Sequence, residues 1–170
     1  MVVDLATFLV GLGLAFGQLF FGLVLSLASV YIGLKAFDRM TVGIDEMKEL
    51  KRGNVAVGIL MMAVIFSIAT VVQSGVSGLA AAVSGKTLAQ LPMAVAIGIL
   101  QLLIGLGAAV VSVYLCIRVL DIITVEIDEM KELKKGNVAV AIMMGGILIS
   151  VAFVVQAGIS GISTVLGSLI

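Results

Sequence analysis

Among the polar residues that interrupt apolar runs in this chain, six stand out: Gln18, Gln73, Gln101, Gln156, Ser77 and Ser160. None of them titrates, so the chemistry open to them is hydrogen bonding. Amides and hydroxyls among apolar residues either bond helix to helix or line a polar constriction for an ion or small solute. The first reading leads. A second set is charged or capping, and it comes in two matched clusters. Asp45, Glu46, Glu49 and Asn54 form one; Asp128, Glu129, Glu132 and Asn137 form the other. Paired carboxylates can build a vestibule for cations or a docking surface for a protein partner. They can also belong to a short helix that only turns the chain, and matched basic residues favour that plainer reading.

Other chemistries lack their residues. The chain has no histidine and a single cysteine, Cys116. Zinc and haem sites of the usual kind are therefore not expected, and no metal or cofactor is assigned. Cys116 reads as a small buried hydrophobe. No Ser-His-Asp or Cys-His set exists, and enzyme activity is not expected. Ser84-Gly85-Lys86-Thr87 ends like a phosphate-binding loop, but Ala80 stands where that motif needs glycine. With ten basic and ten acidic residues the net charge is zero, and no basic field is available for nucleic acid.

The elements that must position these residues are membrane spans. Of 170 residues, 62% are hydrophobic and 12% charged, and the mean hydropathy is +1.32. A soluble domain carries roughly twice that share of charge. About 20 apolar residues cross a bilayer, and four stretches qualify: residues 5–33, 55–82, 93–117 and 138–166. The N-terminal stretch has no basic segment before it and reads as a retained first helix. Pro92 suits the first turn of the third. Lys35, Arg39, Lys48, Lys51 and Arg52 follow the first span; Arg118, Lys131, Lys134 and Lys135 follow the third; only Lys86 lies on the other side. The positive-inside rule then puts both charged segments in the cytoplasm and both termini outside a cell membrane.

Shifted by 83 residues, the chain matches itself. Across positions 31–78, 27 of 48 residues are identical, and across 41–57, 15 of 17. IDEMKELK at 44–51 returns unchanged at 127–134, whereas the spans have drifted. The chain divides into two-helix membrane repeats, 1–83 and 84–170. Each holds two spans, so both enter the membrane in the same sense. A pseudo-twofold axis along the membrane normal is their expected relation, with both charged hairpins on one side. The fold class is all-α: a polytopic membrane protein of four transmembrane helices, as two parallel two-helix repeats with short amphipathic cytoplasmic helices.

Within each hairpin, Ile44, Met47 and Leu50 recur every third residue and predict an apolar stripe on a short interfacial helix. Asp45 and Glu46 at its start, with Lys51 and Arg52 at its end, suit the helix dipole. Gly53 reads as a C′ residue and Asn54 as the N-cap of the next span. The motif Gln-Ser-Gly-Val-Ser-Gly at 73–78 returns as Gln-Ala-Gly-Ile-Ser-Gly at 156–161. Its glycines permit close helix packing, the leading reading, or a local unwinding that exposes carbonyls.

On Tyr31, Asp38, the segment 49–54 and Gln73 through Gly78, with Tyr114, Asp121, 132–137 and Gln156 through Gly161 in the second copy, the chain resembles the small bacterial and archaeal inner-membrane proteins catalogued as domain of unknown function 350. The resemblance spans essentially the whole chain as two repeats. It implies the architecture and gives no residue a catalytic role. Two functions fit. One is an oligomeric channel or transport component for an ion or small solute, its glutamines lining the narrow part. The other is a non-transporting protein that organises the bilayer or holds a cytoplasmic partner through its hairpins.

Overall fold

The computed structural model describes residues 5–41, 44–83, 90–123 and 128–167. Residues 84–87, Lys86 among them, lie outside these. Four long apolar helices carry the chain: α1 (Leu5–Met40), α3 (Val55–Val83), α4 (Leu91–Ile123) and α6 (Val138–Gly167). Two six-residue helices, α2 (Glu46–Lys51) and α5 (Glu129–Lys134), sit in the hairpins. Each long helix is apolar enough to cross a membrane, so this is a multi-pass membrane protein. Pro92 falls in the first turn of α4.

α1 and α4 run past the spans expected from hydropathy, carrying Lys35–Arg39 and Arg118–Asp121 as helix rather than loop. The extension is held by matched pairs. Lys35 Nζ lies 5.9 Å from the centre of the Tyr31 ring, and the Arg118 guanidinium 5.5 Å from that of Tyr114. Arg118 Nε also donates to Tyr114 Oη at 3.1 Å. A cation one turn beyond an aromatic ring is a helix leaving the bilayer, with the ring at the interface and the charge in water.

α3 is the hub. It packs along α4 and α6 and more lightly along α1. The main core lies towards the charged ends, where Phe37, Leu60, Ile68, Leu120, Leu133, Met144 and Leu148 are almost fully enclosed. Cys116 belongs to it. Towards the other end, backbones approach closely instead. A Cβ at Gly75 would stand 3.1 Å from Leu102 Cα, and one at Gly98 would stand 3.0 Å from Leu79 Cα. α3 stays helical through Gly75 and Gly78, so the glycines serve packing, not unwinding. The Gly13 and Gly17 step in α1 has no neighbour within reach of a Cβ.

The pseudo-twofold relation does not hold. It would make α3 against α4 equivalent to α6 against α1, yet among the described residues only the first is an extended contact. The second repeat follows the first in a head-to-tail step. α4 and α6 both pack against α3, while α1 stays with its own partner and the flank of α4.

Candidate functional site

Both hairpins are built by the same local code. Asp45 Oδ1 accepts from Lys48 N, and Asp128 Oδ1 from Lys131 N, each at 3.0 Å, capping α2 and α5. Gly53 and Gly136 take φ of +77° and +83°, the left-handed turn that stops the helix. Asn54 N then donates to Glu49 O and Gly53 N to Leu50 O, both at 3.0 Å. Asn54 Oδ1 accepts from Val57 N at 3.3 Å and opens α3; Asn137 Oδ1 does the same for α6 from Val140 N at 3.4 Å. Each asparagine also donates to the glutamate five residues earlier, Asn54 to Glu49 at 3.1 Å and Asn137 to Glu132 at 2.8 Å. These amides hold both carboxyls below their usual range, helped by Arg52 and Lys135. Lys131 does the same for Asp128.

Both hairpins lie at one end of the molecule and touch. Asn54 Nδ2 donates to Leu133 O at 2.9 Å, from the first repeat to the second.

The apolar stripe expected on α2 is not what faces inward. Ile44 is buried, but Met47 is 60% exposed and Leu50 37%, while Glu46 is only 4% exposed. Six residues make under two turns, so only one edge of α2 reaches the long helices, and Glu46 lies on it. α5 differs because it also rests against α3. There Leu133 is fully buried, Met130 half-buried, and Glu129 6% exposed.

Burial of Glu46 gives the hairpin its least ordinary chemistry. Thr41 Oγ1 lies within bonding reach of Phe37 O, at 3.1 Å, and of Glu46 Oε1. A hydroxyl has one proton. The Phe37 carbonyl and the Glu46 carboxyl oxygen are alternative acceptors for it. Burial pushes the Glu46 carboxyl up, the Thr41 contact pulls it back in part, and the nearby Asp38 carboxylate raises it further. Glu46 and Asp38 line an open cavity of about 310 Å³ with Tyr31, Lys35, Phe37 and Met47. Glu46 thus holds a proton above the pH at which a free glutamate loses it. In the second repeat Glu129 is buried likewise; Thr124 and the Asp121 side chain lie outside the described residues.

A pH dependence follows. The folded chain binds this proton more tightly than the unfolded one, so Glu46 contributes most stability at low pH. That contribution is lost as pH rises through its raised value. Glu46→Gln keeps an acceptor for Thr41 without the charge. The variant is expected to melt above wild type at pH 8 by a few degrees, at about 2–4 °C per kcal/mol for a chain of this size. The gap should close as pH falls towards 4.5. Melting curves in mild detergent check this, and a gap independent of pH would reject the assignment.

The polar residues within the spans do not gather at one point. Gln101 is 2% exposed, and its Nε2 donates to Ser163 O at 3.2 Å across α4 and α6. It sits where Gly78 leaves room. Ser74 donates to Gln156 O, and Ser160 donates to Ser74, each at 3.4 Å. Gln156 is half-buried, while Gln73, Ser77 and Ser160 are exposed on the outer surface of the four-helix unit. The Gln18 side chain lies outside the described residues. Reading the sequence gave no site role to Asp38, Thr41 or Ser163. Asp38 and Thr41 were detectable, since Asp121 and Thr124 repeat them.

The sequence model of a family described as Domain of Unknown Function (DUF350) matches residues 5–106 and again 93–170. No curated protein and no solved structure matches the chain.

Proposed function

The chain belongs to the domain of unknown function 350 family, and from that premise we propose that it is a channel or transport component for an ion or small solute, working as a homo-oligomer. The observation that carries this reading is the Glu46–Asp38 pair beside an open cavity at the charged end. A carboxyl kept protonatable at a mouth is a means of gating or of attracting cations. Gln101 fills a close helix contact, so any path runs between chains and not through one four-helix unit. By the positive-inside rule the carboxyl pair faces the cytoplasm and both termini lie outside. The protein has no enzymatic role and needs no cofactor in this reading.

Flux or single-channel recording in liposomes, across K⁺, Na⁺, Ca²⁺ and Cl⁻, tests it. The expected result is a conductance that depends on the pH of the hairpin side, with that dependence flattened in Glu46→Gln. Silence from well-reconstituted oligomer would overturn it. A second reading rests on Met47, which stands exposed on a charged hairpin as an apolar anchor for a cytoplasmic partner. A partner retained by wild type and lost with Met47→Asp, from protein that shows no flux, would favour that reading.

A further inference from the structure

We propose that a second copy of this chain docks on α6 as the second repeat docks on α3, so that copies join head to tail through the interface that already joins the repeats. The sequence repeats at 83 residues, so each residue has a counterpart whose environment can be compared. On α3, Ala63, Ser67, Val71 and Gly78 are buried under α4 and α6. Their counterparts on α6, Gly146, Ser150, Val154 and Gly161, are all exposed. The opposite stripe shows the converse. Gly145, Leu148 and Ala152 of α6 are buried, while Met62, Ile65 and Ala69 of α3 are exposed. Whole spans follow suit: 61% of the α3 span is buried against 33% for α6, and 39% of the α4 span against 18% for α1. One surface is thus used inside the chain and left uncovered at both of its ends.

The hairpins point the same way independently. Asn54 spends one amide hydrogen on Glu49 and the other on Leu133 O. Among the described residues, Asn137 makes only the first of these bonds, to Glu132. The carbonyl that would complete it is Leu50 O of a following copy, and Leu50 is 37% exposed where Leu133 is fully buried. In lipid, helices associate by close packing and by hydrogen bonds, and both are left unused on these faces.

The fit between copies is not identical to that within one. Met62 would lie over Gly146 where Gly145 lies on Ala63. Ala15 stands where α4 has Gly98, so the copies stand a few tenths of an ångström further apart at that level. A head-to-tail contact is heterologous, and it closes into a ring when its rotation divides the circle. One stripe of α3 then remains, on the side away from α1 and α4: Phe66, Gln73 and Ser77 at helical spacing. Ile149, Gln156 and Ser160 are its counterparts on α6. In a closed ring these residues face the axis. That last step deepens the transport reading and rests on it; the docking itself does not.

Disulfide trapping tests the docking, with Cys116→Ala as background. Within the chain, a Cβ at Gly145 stands 3.0 Å from that of Ala63, so Ala63→Cys with Gly145→Cys closes an internal bond and verifies the fold. The corresponding pair between copies is Met62→Cys with Gly146→Cys. Among the described residues, no atom of another helix lies within 4 Å of a Cβ at position 146, so this pair does not close internally. Oxidised in native membranes, it should give a ladder of covalent multimers that ends at the ring size. Either cysteine alone should give none. Adding Gly158→Trp should abolish the ladder and spare the internal bond. A chain that forms the internal bond but stays monomeric, or a dimer from Gly146→Cys alone, would overturn the proposal. Failure of the internal bond would overturn its starting interface. A full ladder from protein without flux would leave the docking standing and remove the transport reading alone.

Discussion

Gly75→Val is expected to unseat α4 from α3, while Gly158→Val, the same change one repeat later, leaves the single chain folded. The two glycines occupy identical places in the Gln-x-Gly-x-Ser-Gly motif. Their surroundings differ. A Cβ at position 75 would already meet Leu102 Cα at 3.1 Å and Gln101 O at 3.2 Å, both backbone atoms with no rotamer to change. Two further methyls force the helices apart, and overpacking of this kind costs about 1–3 kcal/mol. The Gln101 to Ser163 bond lies one step along the same contact and would loosen with it. At position 158 nothing lies within 4 Å of the added carbon. Unfolding in detergent under conditions that keep the chain monomeric should separate the two variants clearly. Equal losses would mean that α3 and α6 are packed alike, contrary to the structure.

The second expected result concerns the hairpins. Asn54→Ala should destabilise the single chain by about 1 kcal/mol more than Asn137→Ala. Both variants lose a helix cap, worth about 1 kcal/mol. Only Asn54 also donates to Leu133 O, a bond worth about 0.5–1.5 kcal/mol. Both caps also hold a glutamate ionised. Their stabilisation is present above the unfolded carboxylate range and fades as pH falls through the depressed values of Glu49 and Glu132. Glu46 works in the opposite sense, so the two effects separate on a pH series. A pair of variants with matching losses would remove Asn54 from its bridging role.

These results turn on a difference between repeats that no single position discloses. Hydropathy alone places four spans and two hairpins, because apolar runs near the bilayer thickness admit little else. The Gly53-Asn54 stop and start was likewise legible, since only glycine takes a positive φ without strain and asparagine is a ready cap. The arrangement of the repeats was not. Both pseudo-twofold and head-to-tail relations place parallel repeats with hairpins together, and the sequence is equally periodic in either. The choice is made by which small faces meet: Gly75 has a neighbour and Gly158 has none. The inward turn of Glu46 was hidden for a related reason. A three-residue stripe such as Ile44, Met47 and Leu50 predicts burial only where a helix is long enough to lie on something. In α5 the neighbouring repeat provides that support, so Leu133 is buried where Leu50 is not.

The aromatic–cation steps at Tyr31–Lys35 and Tyr114–Arg118 fix more than depth. Tyr31 and Lys35 also line the cavity that holds Glu46, so this carboxyl stands beside the aromatic–cation step and close to the membrane surface. Ion activities there follow the surface potential. On a leaflet at about −30 mV, protons are concentrated roughly threefold, a shift of about half a pH unit. The carboxyl therefore titrates against the lipid composition of its leaflet as well as against the solution. A change from zwitterionic to anionic lipid at constant buffer pH is, for this side chain, an acidification.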